Sequence, residues 1–132
     1  MTGIEWIVEA YGCNPVSLSS LDTVKELFAC MVRDLNLHPC GEAQWQQFPQ
    51  SLGITGLCLL SESHLACHTF PEYGSLCLNL FSCRPRPEWD FSDHLRHIFG
   101  AQKVNVRCLE RSYLASGDEA AAFSVTGGEK AR

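Results

Sequence analysis

Ser61–Cys83 reads SESHLACHTFPEYGSLCLNLFSC, and its alternation decides the fold. Over His64–Phe70, His64, Ala66 and His68 fall on one side of an extended chain, with Leu65 and Cys67 on the other. Pro71–Gly74 carries turn residues. Leu76–Cys83 then alternates again. Leu76, Leu78 and Leu80 share one face; Cys77, Asn79, Phe81 and Cys83 share the other. Two such strands around a tight turn predict an antiparallel hairpin that brings the regions of His68 and Cys83 near each other. Ser, His, Cys and Glu are concentrated here as nowhere else, so this is also where chemistry is expected.

Upstream, Ile54–Ser61 is apolar throughout, as a strand buried on both faces would be. Pro49–Gly53 reads as a loop, and Glu42–Phe48 as a weaker strand. Ile4–Tyr11 is rich in β-branched and aromatic residues and predicts a strand ending at Gly12. Asn14-Pro15 signals a turn. Ser19–Leu35 predicts a helix: Leu21, Val24, Phe28, Met31 and Leu35 form one apolar stripe. Ser19 with Asp22 resembles a capping box, and His38-Pro39 closes the segment. Downstream, Glu88–Phe99 predicts a second helix with a stripe of Phe91, Leu95 and Ile98, capped by Gly100. Val104, Val106 and Cys108 alternate in a last strand. The expected fold is α+β: a two-layer sandwich, mostly antiparallel sheet with two helices packed on one face. Residues 1–114 read as one domain, and 115–132, small and polar, as a flexible tail.

The chain has 132 residues, enough for one core. Its net charge of −5 argues against nucleic acid as a partner. Met1–Ala10 lacks the pattern of a secretory leader, and the apolar run at Ile54–Leu60 is too short to cross a bilayer. No membrane association and a cytoplasmic location are therefore expected. The eight Cys show no C-x-x-C spacing and read mainly as small buried hydrophobes.

Residue types alone offer two kinds of chemistry. His64, Cys67, His68 and Cys83 are good zinc ligands by type. On a strand, however, His64 and His68 stand about 13 Å apart, and Cys67 points away from His68. No metal is expected. Cys83, His68 and Glu72 supply the types of a thiol hydrolase, without a nucleophile elbow or other ordering signal.

A third reading rests on order. Glu62-Ser63-His64-Leu65 is followed by His68-Thr69-Phe70-Pro71-Glu72-Tyr73-Gly74 and then Phe81-Ser82-Cys83; Tyr11-Gly12-Cys13 and Gly53-Ile54-Thr55-Gly56 precede them. This ordered set resembles the short prokaryotic S-adenosylmethionine decarboxylases, a family of pyruvoyl enzymes, over about Ile4 to Leu114. The resemblance implies self-cleavage between Glu62 and Ser63. Ser63 Oγ attacks the Glu62 carbonyl, the peptide becomes an ester, and β-elimination splits the chain. The dehydroalanine left at residue 63 hydrolyses to a pyruvoyl group. His68 matches the processing base. The pyruvoyl ketone then forms a Schiff base with the substrate's amine and takes the electron pair left by CO2, with no pyridoxal phosphate. Cys83 matches the proton donor. Phe48, Phe70 and Glu72 match the positions that hold the adenine and ribose of S-adenosylmethionine. Two cleaved protomers are expected to form a homodimer, and the product to feed spermidine synthesis.

The chain departs from the family's pattern around the substrate pocket. Position 70 is usually Trp and is Phe here. Gln46-Gln47-Phe48 stands where His-x-Phe is usual, and the loop to Gly53 is one residue longer. The alternatives left open are an arginine or ornithine decarboxylase on the same scaffold, with Glu72 facing a cationic side chain, and an unprocessed, non-catalytic family member.

Overall fold

The computed structural model describes residues 2–115. Six antiparallel strands form one sheet: β1 (Thr2–Tyr11), β2 (Gln44–Gln47), β3 (Ile54–Leu60), β4 (Ser63–Phe70), β5 (Ser75–Ser82) and β6 (Lys103–Ser112). Their spatial order is β2-β3-β4-β5-β1-β6. Three helices accompany them: α1 (Pro15–Leu18), α2 (Leu21–Asp34) and α3 (Phe91–Phe99). The expected α+β sandwich is found, with one more helix than the sequence suggested. That extra helix is the single turn α1, where Asn14 caps Val16 N–H through its side-chain oxygen at 2.8 Å. The expected tail, apart from Ala115, lies outside the described residues.

The expected alternation fixes which face is covered. Leu65, Cys67, Leu76 and Leu80 are fully buried beneath the helices. Each buried leucine of this kind contributes about 1.5–3 kcal/mol of transfer free energy. α2 packs Val24, Leu27, Phe28 and Met31 downward, and Phe28 meets Trp45 of β2 at 4.8 Å between ring centroids. α3 contributes Phe91, Leu95 and Phe99, and Gly100 ends it in the left-handed conformation at φ 69°.

Two local expectations are corrected. α2 begins one residue later than the capping-box reading required: Ser20, not Ser19, accepts the Thr23 N–H at 3.2 Å. Ser19 is occupied in closing α1, where its N–H and hydroxyl both donate to the Pro15 carbonyl. β3 is not buried on both faces. Ile54, Cys58 and Leu60 are buried, whereas Leu57 and Leu59 are 50% and 63% exposed. The helices cover only one side of the sheet, so an all-apolar strand leaves half its side chains on the uncovered face.

Candidate active site

β3 and β4 are joined by the shortest hairpin connection. Leu60 pairs with Ser63, leaving Ser61 and Glu62 as the turn. Next to it, Ser63 stands opposite Ser82 at the end of β5. The ladder continues one step further: the Cys83 N–H donates to the Glu62 carbonyl at 2.9 Å. A fork of hydrogen bonds holds the Glu62 side chain as well, with Arg84 Nε at 2.5 Å and Nη2 at 2.9 Å from its two carboxylate oxygens. The buried Ser82 hydroxyl accepts from the Arg84 N–H and from Arg86 Nε, both at 3.2 Å. Tyr113 donates its hydroxyl to the Cys83 carbonyl at 3.1 Å. Gly3 allows β1 to approach this point, since a Cβ there would collide with the Ser82 carbonyl oxygen. The scissile peptide expected at Glu62–Ser63 thus sits on an exposed turn whose backbone is fixed on both sides.

The remaining candidates gather at the other end of β4. His68 pairs with Cys77 on β5 and with Thr55 on β3. Thr55 Oγ1 lies 3.1 Å from His68 Nδ1. Phe70 closes the strand and Glu72 sits in the 3-10 turn Pro71–Tyr73, both exposed. Phe48 borders the same end, in the loop that Gln47 pins by donating to the Ser19 and Leu52 carbonyls at 2.7 and 3.1 Å. Beneath, the buried Thr69 hydroxyl donates to the Leu18 carbonyl at 2.8 Å and accepts from the Ile54 N–H at 2.9 Å.

The hairpin is antiparallel as expected, but it does not bring His68 to Cys83. The register sets Ser63 against Ser82 and His68 against Cys77. Five residues of strand separate the two clusters, or about 17 Å. The turn at Pro71–Gly74 joins the His68 ends, so Cys83 is left at the opposite end. The thiol-hydrolase set of Cys83, His68 and Glu72 is therefore not assembled within one chain. Neither is the zinc set: Cys67 is buried under the helices, on the other face from His64 and His68, and burial pushes its thiol up to about 12.

Sequence reasoning gave Thr55 no role, although it lies in the quoted Gly53–Gly56 piece. It also missed a polar network on the uncovered face. His64 Nε2 lies 3.2 Å from Asn79 Oδ1, and Asn79 Nδ2 donates to Glu5 at 2.5 Å. Glu5 is ion-paired with Arg111. The His64 ring stacks on Phe81 at 5.5 Å, with Arg111 over the same Phe81 ring at 5.8 Å. Its only sequence signal was the alternation within each strand, which set His64 on the side away from Leu65 and Cys67, and Asn79 and Phe81 on the side away from Leu76, Leu78 and Leu80.

A family model described as S-adenosylmethionine decarboxylase matches residues 4–112. An S-adenosylmethionine decarboxylase proenzyme of Moorella thermoacetica is 32% identical over 117 residues, which is 87% of this chain and 91% of that one. One from Carboxydothermus hydrogenoformans is 31% identical over 110 residues, covering 82% of this chain and 84% of its own. The crystal structure of the adenosylmethionine decarboxylase of Aquifex aeolicus superimposes with a TM-score of 0.72 at 22% identity, over 86% of this chain and 93% of that one. That structural likeness speaks to the fold.

Proposed function

The chain belongs to the S-adenosylmethionine decarboxylase family, and from that premise we propose that it is a self-processing, pyruvoyl-dependent decarboxylase of S-adenosylmethionine. The observation that carries the reading is the Glu62–Ser63 peptide on its two-residue turn, with a backbone donor already on the Glu62 carbonyl. An acyl shift to Ser63 Oγ builds negative charge on that oxygen. The Cys83 N–H is in position to hold it without reorganisation. Arg84 keeps the Glu62 side chain fixed meanwhile, and residues 1–62 and 63–132 become the two chains.

The residues around position 63 fit a pyruvoyl group. Position 63 keeps its place in the β4–β5 ladder after the turn is cut, and the Glu62 side is retained by Arg84 and by β3. The group, once formed, supplies an electron sink for the pair left by departing CO2. Cys83 is the proposed donor of the proton that completes the product. Its backbone is held from both sides, by Glu62 and by Tyr113.

His68, Phe48, Phe70 and Glu72 are proposed to act across a homodimer. The uncovered face carries Leu57, Leu59 and Leu109, at 50%, 63% and 45% exposure. A second copy packed face to face about a two-fold axis covers them. An antiparallel arrangement of the two β4 strands then brings the partner's His68 to the end of the sheet that carries the Glu62–Ser63 turn and Cys83. It also brings the partner's Phe48, Phe70 and Glu72 to the substrate. Phe70 serves as a stacking platform in place of the usual Trp, because a base face accepts any aromatic.

No helix among the described residues is long and apolar enough to cross a membrane. We place the enzyme in the cytoplasm, supplying the aminopropyl donor for spermidine. The test is carboxyl-labelled CO2 release from S-adenosylmethionine, arginine and ornithine, beside a denaturing mass spectrum. Two chains, with release from S-adenosylmethionine alone, support the reading. A single 14.7 kDa chain refutes it, and release from arginine or ornithine moves the substrate.

A further inference from the structure

Glu5, Asn79 and His64 form a line of hydrogen bonds across β1, β5 and β4 that ends one residue from the cleavage site. Each link fixes the next. A carboxylate ion-paired with Arg111 only accepts, so the Asn79 amide must turn its NH2 toward Glu5. That turns Asn79 Oδ1 toward His64, and an oxygen acceptor requires a hydrogen on Nε2. The neutral ring is then the Nε2–H tautomer, and Nδ1 carries a free lone pair. The stack on Phe81 sets the ring plane. Outside the network the ring borders a recess lined by Leu57 and Leu59 of β3 and by Cys40, Glu42 and Gln44, so Cys40 and Glu42 are the further titratable side chains beside it.

We propose that His64 is a further catalytic residue, whose Nδ1 takes the proton that the substrate's α-ammonium must shed before it can react at residue 63. This rests on the pyruvoyl reading above and gives the bound substrate its base. One N–H bond of the ammonium breaks, its electron pair stays on nitrogen, and the proton forms a new bond to Nδ1. The resulting imidazolium keeps its Nε2–H on Asn79, with the Glu5 carboxylate one hydrogen bond behind it. His64 is bonded directly to residue 63, so this base travels with the reacting carbonyl whatever the partner subunit does.

Two readouts test the proposal. Nitrogen-15 NMR of the full-length protein, with the His64 signals identified by loss in His64→Gln, shows the Nε2–H tautomer at neutral pH. Glu5→Gln lets the Asn79 amide turn over and yields mixed tautomers. In kinetics, the side-chain amide introduced by His64→Gln still donates to Asn79 at the ε position but offers no acceptor at δ. Chain splitting stays complete while kcat/KM falls about 100-fold and its acidic limb disappears. Should that variant stay whole, Asn79→Leu keeps the imidazole and removes its partner, and its acidic limb moves. An Nδ1–H tautomer overturns the proposal. So does a cleaved His64→Gln enzyme with the wild-type rate, or an Asn79→Leu profile that superimposes on wild type. A wild-type chain that remains whole refutes the pyruvoyl reading itself and takes this step with it, an outcome distinct from each of these.

Discussion

Ser63 and His68 lie on one strand, five residues and about 17 Å apart, with side chains on opposite faces of the sheet. A base cannot serve a serine from there within one protomer. If His68 is the processing base, it works on the other copy, and that has a genetic consequence. A Ser63→Ala chain lacks the nucleophile but supplies a good base. A His68→Ala chain lacks the base but carries a good serine. Each alone stays whole. Co-expressed, the mixed dimer restores one site, and the His68→Ala chain is cut. The mass spectrum of the mixture reads this directly. Two intact chains would end the trans assignment.

The uncovered face offers a second test. Leu59 is 63% exposed on the uncovered face, outside the core, so Leu59→Asp leaves the monomer folded. Burying that carboxylate in a face-to-face dimer is costly without a partner charge. The variant is expected to elute as a monomer in size-exclusion chromatography and to remain uncut, with a circular dichroism spectrum like wild type. A cleaved monomer would show that the site is complete in one chain.

Much of this was legible in the sequence because alternation is a local signal. The faces of Leu65, Cys67, Leu76, Leu78 and Leu80 follow from period two alone, and so does the side on which His64 and Asn79 appear. Register is not local. The Pro71–Gly74 turn told that β4 and β5 pair, yet which end holds Cys83 depends on counting outward from Phe70 opposite Ser75. Nor does composition reveal that one face is bare: Leu57 and Leu59 look like core until the helices are placed. The network through Glu5 and Arg111 was invisible for the same reason. Its members lie 106 residues apart in sequence and meet only because β6 returns beside β1.

Cys67 gives a prediction in pH. Burial pushes its thiol up to about 12 in the folded state, against an ordinary value of 9.0. The raised value means that the folded chain holds the proton after the unfolded chain has lost it. Its contribution to stability is therefore fully present below pH 9 and is lost as pH rises toward 12. Cys67→Ala, though less stable at neutral pH, should lose stability more gently across that window in urea titrations. Parallel slopes would remove Cys67 from the alkaline transition. Under native conditions Cys67 should also resist alkylation while the exposed Cys40 and Cys108 react.

Arg84 carries the last prediction. Its guanidinium grips both oxygens of Glu62, and its own N–H reaches Ser82. The pair is open to solvent, with Arg84 and Glu62 side chains 70% and 41% exposed, so its loss should cost less than about 1 kcal/mol of stability. Its effect on cleavage should be larger in proportion, because the fork restrains the residue whose carbonyl is attacked. Arg84→Ala should lengthen the half-life of the intact precursor several-fold without abolishing splitting, since the Cys83 N–H still reaches the Glu62 carbonyl. Arg84→Lys should recover only part of the rate, as an ammonium makes a point contact where the guanidinium makes two. A gel time course of newly made precursor decides it. Equal half-lives for wild type and Arg84→Ala would reduce the ion pair to a surface contact with no part in processing.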